Sequence, residues 1–150
     1  MKNQILKTVF LLFIMTIEFS CEKVTTTAWI SYPSTNGVSV QAIAIDAMNN
    51  KWFCTYGDGI LKFDRTNWTT YTNNGLINGA SFMAIDAQGN KWFGTDNGVF
   101  KFDGTNWEHY SSSNSSLKGA YYPAIAIDEQ HNIWFGTMSG IGGISELRSN

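Results

Sequence analysis

The sequence predicts an all-β chain, a β-propeller made of four-stranded antiparallel blades of about 40 residues with about three blades present, and three observations carry this. A cassette returns along the chain: IDAMNNKWFCT from Ile45, IDAQGNKWFGT from Ile85 and IDEQHNIWFGT from Ile127. A unit repeated at this period cannot bury its apolar face alone and stacks on copies of itself. Each copy divides into short runs rich in aromatic and β-branched residues, separated by clusters of Gly, Asn and Asp suited to hairpin turns. Within the runs the alternation has a period of two, as in VFKFD, where Val99, Lys101 and Asp103 face opposite to Phe100 and Phe102.

Taken in order, the chain opens with Lys2 and Lys7, the apolar run Thr8 to Ile17, and then Glu18, Phe19, Ser20 and Cys21, the layout of a secretory signal. The small residue before Cys21 resembles the bacterial lipoprotein signal, so residues 1–20 are expected to be removed and Cys21 to be lipidated as the new first residue. Glu18 departs from that pattern, which has an apolar residue there, and plain secretion is the alternative. The apolar run is too short to span a bilayer, so membrane attachment would be through the lipid alone, in the periplasm or at the outer membrane. Residues 21–40 read as a tether and one closing strand, because TTAWISY, with Trp29 and Tyr32, resembles TNWTTY at Trp68 and TNWEHY at Trp107.

Three repeats follow at 41–81, 82–122 and 123–150, the last incomplete. The central copy gives runs at Phe82 to Asp86, Asn90 to Thr95, Val99 to Asp103 and Trp107 to Tyr110. The first gives Ala42 to Asp46, Lys51 to Thr55, Ile60 to Asp64 and Trp68 to Tyr71. The third gives Ala124 to Asp128, Asn132 to Thr137 and a weaker strand around Ile141 to Ser145, with Gly142 and Gly143 in place of Phe100 and Lys101. The closing strand would complete the last blade. Closed propellers typically have four to eight blades, so three blades predict a piece of a longer propeller, half of a dimeric six-bladed ring or, third, a distorted small ring.

The formal charge of the chain is −2. Loss of residues 1–20 removes Lys2, Lys7 and Glu18 and takes it to −3, with Lys51, Lys62, Lys91 and Lys101 dispersed over the repeats. No basic stripe forms, which argues against a nucleic-acid partner. Cys54 stands where the other copies have Gly94 and Gly136, and reads as a small residue at a tight position rather than a catalytic thiol, since the repeat brings no histidine beside it.

The order ID, then GN or NN, then WFGT, a KFD run and a terminal WxxY resembles the two-component regulator propeller repeat. That repeat builds the periplasmic sensor portion of hybrid histidine kinases, especially in Bacteroidetes-type bacteria, and also occurs in stand-alone secreted proteins. The resemblance covers about residues 40–150 and is closest at 85–110. It implies a propeller fold and extracytoplasmic sensing of ligands such as oligosaccharides. This chain shows no kinase core and no response-regulator or DNA-binding domain, so no signalling output of its own is expected.

The candidate site residues divide into scaffold and ligand groups. Asp46, Asp86 and Asp128 recur between a strand and a turn, where a carboxylate accepts hydrogen bonds from turn amides. Equivalent positions give equivalent environments, whereas acid–base catalysis needs unlike carboxylates. Trp52, Trp92 and Trp134, each followed by Phe, place large rings on the two faces of a blade and read as packing. The outer-strand pairs Trp29 with Tyr32, Trp68 with Tyr71 and Trp107 with Tyr110 also read as packing between blades. Tyr56, Tyr121 and Tyr122 break the repeat pattern in loops and are the candidate ligand-binding residues, since loops are where repeat scaffolds add function. Asp58 and Asn97 beside Gly59 and Gly98 are turn residues. His109 and His131 are the two histidines, and no spacing suits a metal site. The GIGG at Gly140 to Gly143 lacks the helix that a phosphate loop opens. No cofactor is expected.

The expectation is a non-enzymatic, exported, lipid-anchored module that binds an oligosaccharide or an envelope protein, with a homodimer as the candidate assembly. The alternatives are a polysaccharide lyase or glycosidase on the same scaffold, marked by two unlike carboxylates in one cleft, or a purely structural assembly module.

Overall fold

The structure, a computed structural model, describes residues 27–32, 37–72, 79–138 and 142–148. The signal and Cys21 lie outside the described residues. Two compact units divide the chain, Met1–Tyr32 and Pro33–Asn150. No helix of the described residues is long and apolar enough to cross a membrane.

The second unit is all β. Its strands are β1 (Val40–Ile45), β2 (Lys51–Thr55), β3 (Ile60–Phe63), β4 (Trp68–Tyr71), β5 (Phe82–Ile85), β6 (Lys91–Thr95), β7 (Gly98–Phe102), β8 (Trp107–Tyr110), β9 (Ala124–Ile127), β10 (Ile133–Thr137) and β11 (Gly143–Leu147). They form three antiparallel meanders, β1-β2-β3-β4, β5-β6-β7-β8 and β9-β10-β11, called blades 1, 2 and 3. The predicted four-stranded blades are there. The third has three strands among the described residues.

Register shows which residues correspond. Gly94 pairs with Val99, Cys54 with Ile60 and Gly136 with Ile144. Ser145 therefore stands where Phe100 does and Glu146 where Lys101 does, which corrects the expected alignment of Gly142 and Gly143 with those two residues. The turn from Thr137 to Gly143 is three residues longer than the one from Thr95 to Gly98, and the sequence pattern gave no sign of the insertion.

Thr27 to Tyr32 carry no strand, and Trp29 is fully exposed. The Trp strands β4 and β8 are fed by local turns in which Asp64 and Asp103 accept the backbone N–H groups of Thr66 with Asn67 and of Thr105 with Asn106.

Two cores hold the blades side by side. The first places Trp52, Cys54 and Ile60 of blade 1 against Phe93, Phe100 and Phe102 of blade 2, with Ala80 from the connection. The second places Trp92 and Val99 of blade 2 against Ile133 and Phe135 of blade 3, with Tyr122 from the connection. Alternation makes this repeatable, since Trp52, Trp92 and Trp134 point to one face and the following phenylalanines to the other. The inner strands touch in succession, β1 to β5 and β5 to β9.

The two cores are keyed by size. Fully buried Cys54 and Ala80 fill the first, and in the second a glycine and a tyrosine take those places. A Cβ added at Gly94 would overlap the carbonyl oxygen of Tyr122. Burial pushes the Cys54 thiol up to about 12, so it stays protonated and packs as a small apolar group.

Candidate functional site

Each blade contains the same polar brace. In blade 1, Asp46 Oδ1 accepts the N–H of Met48 at 3.0 Å and of Asn50 at 2.9 Å. Its Oδ2 accepts the Asn50 side-chain amide at 2.9 Å and the Trp52 indole N–H at 2.9 Å. Asp86 does the same with Gln88, Asn90 and Trp92, and Asp128 with Gln130, Asn132 and Trp134. The turn closes through one left-handed residue, Asn49, Gly89 or His131. Burial opposes ionisation of Asp46, but the indole, the Asn50 amide and the two turn N–H groups outweigh it and hold its carboxyl below the ordinary range. At Asp128 the Trp134 indole leads the same lowering. All four acceptor positions of each carboxylate are thus occupied by the protein, and these residues orient the tryptophans. The asparagine was missed by sequence reasoning, although its recurrence at Asn50, Asn90 and Asn132, two residues before each tryptophan, was a usable signal.

The three candidate ligand tyrosines have different surroundings. Tyr56 is exposed in the loop between β2 and β3, with its N–H on the Ser39 carbonyl. Tyr121 is half-buried, and its carbonyl accepts the Met138 N–H. Tyr122 corrects the expectation outright, because it is 0% exposed and its hydroxyl donates to the carbonyls of Lys118 and Gly119. It breaks the repeat because it fills the space over Gly94. The two histidines are equally local. His109 stacks on Phe100 at 4.4 Å and its Nε2 lies 2.8 Å from the Asn97 carbonyl, while His131 occupies the brace turn. Among the described residues no group of three His, Cys, Asp or Glu side chains could hold a metal ion.

The concave feature lies elsewhere, between the outer parts of blades 2 and 3. A cavity of about 420 Å³ is lined by Trp92, Val99 and Tyr110 of blade 2, by Phe135 and Ile144 to Leu147 of blade 3, and by Ser115 to Lys118 of the connection between them. Its origin can be read from the first core, where Trp107 of β8 packs against Phe102 at 4.5 Å and Phe93 at 5.6 Å. The equivalent place in blade 3, beside Leu147 and Phe135, would be filled from a fourth strand. Among the described residues β11 has no such neighbour, so one wall of the cavity is an unpaired strand edge. The opposite wall is fixed. Tyr110 stacks on Trp92 at 5.8 Å and donates to Glu108, which pairs with Lys101 at 3.0 Å. Burial and then that hydrogen bond push the Tyr110 phenol up to about 12, so it stays neutral at the rim.

Comparison with known proteins gives the following. A family model described as two component regulator propeller matches residues 116–139. The extracellular domain of a hybrid two component system from B. thetaiotaomicron is similar at TM-score 0.61 and 20% identity, over 82% of this chain and 18% of that one. The extracellular domain of a one component system from the same organism gives TM-score 0.59 and 26% identity, over 82% and 17%. PorZ, a surface component of the type-IX secretion system of Porphyromonas gingivalis, gives 0.59 and 24%, over 81% and 20%. Virginiamycin B lyase from Staphylococcus aureus, at 0.58 and 16% over 77% and 43%, shares the fold. This chain spans under one fifth of the length of the two component and one component domains it matches. No curated protein matches it in sequence.

Proposed function

We propose an exported, non-catalytic binding module of the cell envelope, carried on a lipid at Cys21, a reading supported by the two component regulator propeller match at residues 116–139 and by the likeness to extracellular propeller domains. The matched extracellular domains support export. Binding takes place in the groove between β8 and β11. The observation that carries this reading is an apolar cavity walled on one side by β11, a strand edge that is unpaired among the described residues.

That combination suits an extended peptide better than an oligosaccharide. A strand laid along β11 gains main-chain hydrogen bonds, and an aromatic side chain entering beside Leu147 and Phe135 takes the place that Trp107 takes in blade 2. A sugar would need several polar groups turned inward, and the cavity offers them chiefly at its rim, in Ser115, Ser116, Lys118 and Glu146. The preferred partner is therefore an envelope protein segment of the Trp-x-x-Tyr type. The test is a fluorescence titration of the chain with the peptide Thr105 to Tyr110 and, separately, with a panel of oligosaccharides. Saturable peptide binding that is lost in Leu147→Arg supports the groove, and binding of sugars alone replaces the peptide reading.

A further inference from the structure

The register of β11 fixes what a strand laid along it would face. In blade 2, Lys101 of β7 pairs with Glu108 of β8 across the ladder, and their side chains meet at 3.0 Å. In blade 1 the corresponding pair is Lys62 with Thr69. On its other side each lysine has the brace tryptophan as neighbour, Trp52 or Trp92, with the ammonium 5.5 or 5.6 Å from the ring centroid. Opposite Trp134 the same place is held by Glu146, so blade 3 reverses the sign of the charge that blades 1 and 2 carry there.

Glu146 is placed to accept a cation. Its side chain is 20% exposed, and among the described residues its charged partner is Arg148, which reaches Oε2 at 3.0 Å. Arg148 lies two residues further along the chain with its side chain 79% exposed, so the pair is open to water and screened. Among the described residues Oε1 has no hydrogen-bond partner. A neighbouring indole face favours a cation, as it does for Lys62 and Lys101, and gives nothing to a carboxylate.

Resting on the groove reading, we propose that the peptide the groove selects carries lysine or arginine directly after its tryptophan: tryptophan, a cation, any residue, then tyrosine. The tryptophan enters beside Leu147 and Phe135, because Leu147 holds the place of Phe102, which pairs with Trp107. The next residue then stands across the ladder from Glu146, where unlike charges stabilise a strand pair and like charges destabilise it. The chain's own run from Trp107 to Tyr110 has Glu108 at that place, which makes the Thr105 to Tyr110 peptide a weak occupant. In this way β11 discriminates against a copy of the strand that completes blade 2.

The test is calorimetric titration of the full chain with four peptides built on Thr66 to Tyr71: the unaltered segment, Thr69→Lys, Thr69→Glu and Thr70→Lys. The two lysine peptides share one composition, but only Thr69→Lys sets its cation opposite Glu146, since successive side chains of a strand point to opposite faces. Thr69→Lys should bind on the order of tenfold more tightly than Thr69→Glu, and more tightly than Thr70→Lys. A folded Glu146→Lys chain, checked by circular dichroism, should prefer Thr69→Glu to Thr69→Lys. Equal affinities for Thr69→Lys and Thr69→Glu overturn the proposal and leave the groove reading standing. Equal affinities for the two lysine peptides do the same, because they would mean attraction to an acidic chain rather than pairing in register. An unchanged preference in folded Glu146→Lys also overturns it, and the peptide comparison on the wild type decides even where that variant does not fold. Binding by none of the four overturns the proposal and the groove reading together.

Discussion

Asp46 is the smallest unit on which a blade depends. One carboxylate ties the end of β1, the following turn and the indole of the next strand, so loss of the side chain strands donors that burial keeps from water. Asp46→Ala should lower the unfolding free energy by about 3 kcal/mol in urea titrations read by tryptophan fluorescence. The brace also sets an acid limit. The folded-state pKa of Asp46 lies below its ordinary value of 3.8, so its stabilising contribution is complete above that pH and is lost as the pH falls through the lowered value. Asp64, Asp103, Asp128 and Glu108 share this direction, and thermal midpoints should be flat near neutrality and decline below about pH 4. The role of Asp46 as a turn acceptor is legible in its position. Its grip on Asn50 and Trp52 is not, because spacing alone does not show that a left-handed residue at Asn49 curls the turn back over the strand.

Blade strands are local hairpins, and that is why most of them could be read in advance. The runs of blades 1 and 2 coincide with β1 to β8 to within two residues, since alternation, aromatic content and turn chemistry all act over a few positions. β11 was found to within two residues, but its alignment with β7 was misread because its register depends on a connection three residues longer than its counterpart, and length within a Gly-rich connection leaves no periodic mark. Tyr122 was misread for a similar reason, its loop position hiding that the chain there dives over Gly94. That contact is testable at the level of one strand. Gly94→Ala in β6 drives a methyl group into backbone and should cost about 3 kcal/mol or more, or prevent folding. Gly136→Ala, at the same place in β10, meets only the Ala124 methyl at 3.3 Å and should cost under about 1 kcal/mol. Parallel urea curves for the two variants separate a backbone clash from a general intolerance of alanine.

At the scale of the whole stack, position decides what a repeated residue is worth. Trp92 is 4% exposed between two blades and Trp134 is 38% exposed at the end, though both make the same hydrogen bond. Trp92→Ala should cost about 3–5 kcal/mol, and Trp134→Ala, measured in chains diluted to monomers, about half of that or less. Thermal melts at low concentration compare them, and equal losses would mean that the ends are covered in solution. The unequal pairs of the two cores have a further effect. Blades made of near-copies of one sequence offer a folding chain several almost equivalent neighbours. Cys54 and Ala80 belong together, as do Gly94 and Tyr122, and a blade 1 set in the slot of blade 2 would bring a thiol where the Tyr122 backbone leaves room only for hydrogen. Misordered stacks thus carry a steric penalty that the correct one lacks, and the difference between a cysteine and a glycine serves as an address, telling each blade which of its siblings comes next.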